Sequence, residues 1–363
     1  MSRVRRLLPQ RTLASVAIVI VVAALGAGCS KGGSGERGDE VGASTDVIGY
    51  VPYWDQERGF ATVRQHLTLF DEVSPMWYSL DGAGRVVLTD AENTVVDVRT
   101  VRFLQAKGIK VIPTITDLRN GDWHPETVRS MLHDPDRRKA HVRRVANLVM
   151  TNRYDGIDVD YEDLQANDRA AYTAFLRELA AVLHPRGKVL TSAVHPKLSD
   201  AGDDGRNAAQ DFRAIGATVD QVRVMTYDYH WDTSPPGPVA PAEWVRDVIA
   251  WTVGQIPSRK VVLGAVLLGY DWVDGLGQTV DYLQATSLAR MHHARVVRSP
   301  DGTPSFSYTA HGKRHAVWFE DATSVRAKLD LVSKYRLGGV FFWRLGGEDP
   351  DVWGTTSRVT GNR

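Results

Sequence analysis

The sequence predicts an α/β fold, a (β/α)₈ TIM barrel with a small α+β insertion between strands seven and eight. Three observations predict it. From Asp46 onward, short β-branched runs alternate with amphipathic helical stretches, the pattern of a parallel sheet whose crossovers are helices. Eight such runs can be picked out, and eight strands close a barrel. Roughly 310 residues hold them, an ordinary length for that barrel with an insertion. A doubly wound open sheet is the competing fold, but no G-x-G-x-x-G or Walker-type phosphate loop follows an early strand.

The expected strands are residues 47–53, 72–79, 109–115, 156–161, 189–194, 221–227, 261–267 and 339–342. Helices are expected between most of them, at 91–107, 137–151, 167–183, 242–255 and 323–335. Trp244 and Trp251 lie seven apart on one of these helices, share its stripe and read as core. The insertion, about 276–320, holds a helix-like 280–293 and a hairpin around Ser299-Pro300-Asp301-Gly302. After strand six, residues 232–241 include Pro235-Pro236-Gly237-Pro238, a stiff loop that walls a cleft or simply connects. The barrel is thus expected over 46–355, with 356–363 as a tail.

Ahead of it, Arg3, Arg5, Arg6 and Arg11 precede an apolar and small-residue run over 13–28, the layout of a signal peptide. The run falls short of the roughly 20 residues that span a bilayer comfortably. It ends at Cys29, the single cysteine, where a bacterial lipoprotein carries its lipid. Gly26 stands where the lipobox usually has a branched apolar residue, so the match is imperfect, and an ordinary cleaved signal or an uncleaved anchor is the alternative. Lipidation of Cys29 would tether the domain through the Gly/Ser-rich stretch 29–45 to the outer face of the bacterial cytoplasmic membrane; otherwise the chain is expected to be secreted.

With 44 Lys plus Arg against 43 Asp plus Glu, there is no basic surplus to neutralise a phosphate backbone, and nucleic acid is a poor partner. One cysteine excludes a disulfide framework and a cysteine-based zinc cluster. His292-His293 are adjacent and diverge on a helix, and H-E-x-x-H is absent, so neither a metal nor another cofactor is expected.

The chemistry concentrates in Tyr154-Asp155-Gly156-Ile157-Asp158-Val159-Asp160-Tyr161-Glu162. Strand side chains alternate, so Asp158, Asp160 and Glu162 share one face, about 7 Å apart along the strand at 3.3 Å per residue. Such a row cannot all ionise cheaply, and at least one proton is retained to high pH. Glu162, at the strand end and the barrel mouth, is the natural acid. A solvated acidic face is the bland alternative, and the apolar opposite face argues against it. A divalent-metal site is the other, but one straight strand converges poorly on an ion.

This segment resembles the D-G-x-D-x-D-x-E signature of glycoside hydrolase family 18, the chitinase family. Met225-Thr226-Tyr227-Asp228 is similar to the family's M-x-Y-D, and Trp343 to the tryptophan that floors its sugar site; Tyr50 and Trp54 also fit. Within the family the chain looks most like the bacterial spore-germination and cortex-lytic subgroup, through Ser74-Pro75-Met76-Trp77-Tyr78, residues 225–241 and Gly338-Gly339-Val340-Phe341-Phe342-Trp343. Two departures stand out. Pro113-Thr114-Ile115-Thr116 replaces the S-x-G-G of chitinases, and Asp158 stands where the subgroup often has Asn.

The resemblance implies an exported retaining glycosidase acting on a β-linked polysaccharide containing N-acetylglucosamine, peptidoglycan or chitin-like, by substrate-assisted catalysis. Glu162 would protonate the glycosidic oxygen, and Asp160 would orient the substrate's acetamide. Asp158 would exchange a proton with Asp160, and Tyr227 would hold the acetamide oxygen. Trp343, Asp228, Met225, Tyr50, Trp54 and Asp155 would serve substrate binding, although Asp155 precedes the strand and could equally cap a turn. For Trp77, Trp123, Trp231 and Trp272, also near strand ends, packing and sugar stacking are equally open. A silent carbohydrate-binding protein on the same fold is the alternative, and the intact acid row argues against it.

Overall fold

The computed structural model describes residues 45–361. The signal, Cys29 and nearly all of the tether therefore lie outside the described residues. Eight parallel positions form a ring: strand one Asp46–Val51, two Glu72–Pro75, three Lys110–Val111 with Thr114–Thr116, four Gly156–Asp160, five Val189–Val194, six Gln221–Val224, seven Val261–Val266 and eight Gly339–Trp343. Each pairs in parallel with its sequence neighbours, and strand eight pairs with both seven and one.

Three strands depart from expectation. Strand two stops at Pro75, because the Trp77 N–H donates to the Pro75 carbonyl (3.0 Å) and the chain turns; Tyr78–Leu80 then pairs with strand three and with Val86–Leu88. Strand three breaks at Pro113, which has no N–H to give. The ring still closes there, since Ile112 donates to Val73 and the Pro113 carbonyl accepts from Asp158, both at 3.0 Å. Strand six ends at Val224. Beyond it the N–H groups of Thr226 and Tyr227 reach back only two residues, and Asp228 takes φ +60°, so the chain coils at the barrel rim.

Helices cover the outside. Pro135–Asn152 is started by Asp134, whose carboxylate accepts from the Asp136 and Arg137 N–H groups, and ended by Arg153 at φ +57°. The helix expected from residue 91 begins only at Val98, because Asp90 binds the backbone N–H of Glu92 and Asn93 and holds that stretch as a turn. Gly156 opens strand four where a Cβ would lie 2.2 Å from the Val189 carbonyl oxygen, so no other residue fits beside strand five. Trp244 and Trp251 pack against the main apolar core, which fills the space between strands and helices.

Between strands seven and eight the chain builds a second, antiparallel sheet with the spatial order Leu276–Asp281, Leu268–Val273, Lys313–Trp318, Pro304–Ala310 and Val297–Arg298. Helix Tyr282–Met291 packs on it around a small core that includes Phe306, Val317 and Phe319. The loop after strand six is tied to this sheet: Gly277 N–H donates to the Asp232 carbonyl (2.6 Å) and the Trp272 indole to the Trp231 carbonyl (3.1 Å).

Candidate active site

The barrel interior is polar where an ordinary core would be apolar. Asp158 is fully buried, and its carboxylate accepts from Thr191 (2.6 Å), Tyr50 (2.7 Å) and Thr114 (3.1 Å), hydroxyls on strands five, one and three. Below it the fully buried Arg223 of strand six donates to Glu72 and to Ser74 (2.6 Å) on strand two, and to the Tyr50 hydroxyl (3.1 Å). Its guanidinium stands 3.7 Å from Asp158. A buried carboxylate row needs a counter-charge, and Arg223 supplies it from below.

One strand repeat higher, Asp160 is buried with Oδ1 lacking any partner. Burial first, then the charges of Asp158 and Asp117, push its carboxyl well above the usual range. Glu162 lies two residues past the ladder, with about a quarter of its side chain exposed (24%). Burial again raises it well above a free carboxyl, reinforced by Asp160, Asp117, Asp228 and Asp163. The acid at the open end of the row thereby holds its proton to higher pH than a free carboxyl does.

Aromatic side chains wall one side. Tyr50 meets Trp343 edge-on with centroids 6.0 Å apart, and Trp343 meets Trp54 likewise at 6.2 Å. Trp54 is nearly half exposed and carries the Arg344 guanidinium 5.6 Å above its ring. Tyr227 is buried against Phe341 (6.1 Å), the ring that Tyr50 also meets (5.1 Å), and its phenol feels Asp160, Asp228 and Glu162. Met225, just past strand six, is buried, and Asp228, three residues further on, is exposed.

The structure brings together Glu162, Asp160, Asp158, Tyr227, Asp228, Met225, Tyr50, Trp54 and Trp343. Asp155 it does not: the residue precedes strand four, at the opposite end of the barrel, where its carboxylate accepts from the Val111 N–H (2.8 Å) and the Gln105 amide (2.9 Å). Asp155 closes the chain start of the strand and is no part of the site. Trp77 is buried with its indole on Gln56 (2.7 Å), and Trp272 is buried beneath the loop after strand six, so both pack. Trp123, in the short antiparallel pair of Leu118–Arg119 with Asp122–Trp123, and Trp231, on the loop after strand six, are exposed.

Sequence reading missed Arg223, Glu72, Asp117 and His195. The signal for the first was a lone arginine inside the apolar run Val222-Arg223-Val224. Asp117 and His195 immediately follow strands three and five, positions at the mouth of this fold. Among the described residues, no three His, Cys, Asp or Glu side chains gather as a metal would need.

The family profile Glycosyl hydrolases family 18 matches residues 46–349. The chain belongs to that family. It is 35% identical over 272 residues to YdhD of Bacillus subtilis (strain 168), a sporulation-specific glycosylase by name, covering 73% of this chain and 64% of that one. It is 34% identical over 261 residues to the cortical fragment-lytic enzyme of the same organism, covering 69% of this chain and 60% of that one. The chain thus spans about three fifths of the length of these curated relatives. Among solved structures, a chitinase from Chromobacterium violaceum ATCC 12472 superposes with a TM-score of 0.81 at 26% identity, over 88% of this chain and 100% of that one.

Proposed function

We propose that this protein is a retaining glycosidase that hydrolyses β-linked polysaccharide containing N-acetylglucosamine, with peptidoglycan and chitin as the leading substrates. One observation carries the reading: Asp158, Asp160 and Glu162 climb from a buried, counter-charged floor to an acid that reaches the open mouth beside an aromatic wall. The names of the relatives, cortex-lytic enzymes and chitinases, support the substrate class.

In this mechanism the substrate lies across the mouth with a sugar ring over Trp343. Glu162 gives its proton to the glycosidic oxygen as the bond to the anomeric carbon breaks. The oxygen of the sugar's own 2-acetamido group attacks that carbon from the other face and forms an oxazolinium ion. Asp160 orients the amide N–H and offsets the positive charge, while the Tyr227 hydroxyl donates to the acetamide oxygen. Water, deprotonated by Glu162, then opens the ring with retention. Asp160, whose Oδ1 has no donor of its own, exchanges the row's proton with Asp158 and is ionised as the oxazolinium charge develops.

We further infer that the second sheet is an insertion that walls the cleft, since Tyr270 on it feels Asp228 and Asp232. Residues 1–28 are read as an export signal and Cys29 as its lipidated residue, which would anchor the protein outside the membrane. The deciding experiment is mass spectrometry of products from the purified chain on chitin oligomers and on peptidoglycan. Fragments ending in reducing N-acetylglucosamine support the reading, and intact polymers after prolonged incubation overturn it.

A further inference from the structure

Glu162 stands beyond the last residue of strand four, so the sheet ladder no longer pairs its backbone. Two side chains take over. Asp117, following strand three, accepts the Glu162 N–H at Oδ1 (3.2 Å), and His195, following strand five, places Nε2 3.1 Å from the Glu162 carbonyl oxygen. Strands three and five flank strand four, so the peptide of the candidate acid is gripped from both neighbours. The grip is itself anchored, because the His195 N–H donates to Gln210 (2.8 Å). Burial lowers His195 to about 4. The ring is therefore neutral at pH 7, and contact with a carbonyl acceptor requires its proton on Nε2.

Asp117 is 1% exposed, and its second oxygen, Oδ2, is buried with no partner. An unpartnered buried carboxylate oxygen is costly and calls for an explanation. Burial, chiefly, brings Asp117 up to about 6.

We propose that Asp117 and His195 are positioning residues for Glu162: together they fix the peptide that aims its carboxyl, and the negative charge of Asp117 delays loss of its proton. This rests on Glu162 being the acid of the proposed reaction. The charges facing Glu162 come from every neighbouring element: Asp160 on strand four, Asp117 after strand three, Asp163 on its own loop and Asp228 after strand six. Arg206, after strand five, opposes them as the cation of that group and bonds to Asp204 (2.8 Å). Asp117 differs from the other acids in holding the Glu162 backbone as well.

Asp117→Asn keeps an oxygen for the Glu162 N–H and removes only the charge. The carboxyl carbon resonance of Glu162, assigned by its loss in Glu162→Gln, should then titrate lower by about half a pH unit or more. Asp117→Ser provides a second charge-removing variant. His195→Gln can still donate to the carbonyl and should keep wild-type kcat within about threefold, whereas His195→Phe should lose about tenfold in kcat with KM nearly unchanged. An unshifted Glu162 titration in a folded Asp117 variant overturns the charge role, whether or not the wild type cleaves anything. Equal kcat for His195→Phe and wild type overturns the grip. Absence of wild-type cleavage on every polymer instead sinks the functional reading, which the titration does not depend on.

Discussion

The hydroxyl of Tyr50 on strand one lies 2.7 Å from Oδ2 of Asp158 on strand four. The two residues are 108 positions apart in the chain, and their contact spans the inside of the barrel. It ties the aromatic wall to the acid row, since the Tyr50 ring also meets Trp343. Displacing either partner therefore disturbs both halves of the site.

Glu162→Gln should leave fold and oligosaccharide binding intact and lower turnover by about 10²- to 10⁴-fold, the usual contribution of general acid catalysis. The comparison needs a substrate with a poor leaving group. Turnover near that of the wild type would remove Glu162 from the acid's role.

The proposed substrate-assisted mechanism would make cleavage depend on the acetamide. Chitin oligomers N-deacetylated at the sugar donating the bond should resist cleavage there, and a thiazoline analogue should compete with substrate. Asp160→Asn should also cripple turnover, because an amide cannot offset the oxazolinium charge. A trapped covalent glycosyl-enzyme, or equal cutting of glucosamine polymers, would contradict this.

Asp160 also sets a pH dependence of stability. Its carboxyl is raised in the folded state, so the folded protein binds more protons between the ordinary carboxylate value and the folded one. Stability from this group is intact below the unfolded pKa and falls as pH rises toward the folded value. Asp160→Asn cannot ionise. Its melting temperature should exceed that of the wild type at pH 8, and the gap should shrink toward pH 4. A gap that is constant with pH would show that burying the charge is not the cause.

Arg223→Met should cost about 3–5 kcal/mol in urea unfolding, because it leaves the buried Glu72 carboxylate without its counter-charge. Pairing it with Glu72→Met should recover much of that loss. If the double variant is less stable than the single one, the ion pair is not what holds the barrel floor.

Cys29 lies outside the described residues, so its test is cellular. Cys29→Ala should move the protein from membrane to soluble fractions, and the wild-type N-terminal peptide should carry lipid by mass spectrometry. Unchanged partition and an unmodified peptide would leave the apolar run as a plain signal or anchor.

The sequence by itself determined the barrel's strand order, the acid row and the aromatic candidates, because each is written in short-range pattern. Alternation along one strand sends Asp158 and Asp160 to the same side whatever surrounds them. The breaks in strands two and three were also local, carried by Pro75 and Pro113, yet their effect on pairing depended on which neighbour had a free carbonyl. Asp155 precedes strand four and Glu162 follows it, so their opposite ends were legible in the sequence; only the fold shows that the Asp155 carboxylate is taken up by the Val111 N–H. Arg223, Glu72, Asp117 and His195 belong to the site only because strands distant in sequence converge on strand four. Which charge balances which, and which side chain takes over a missing backbone partner, are distances across the fold, and only the tertiary structure decides them.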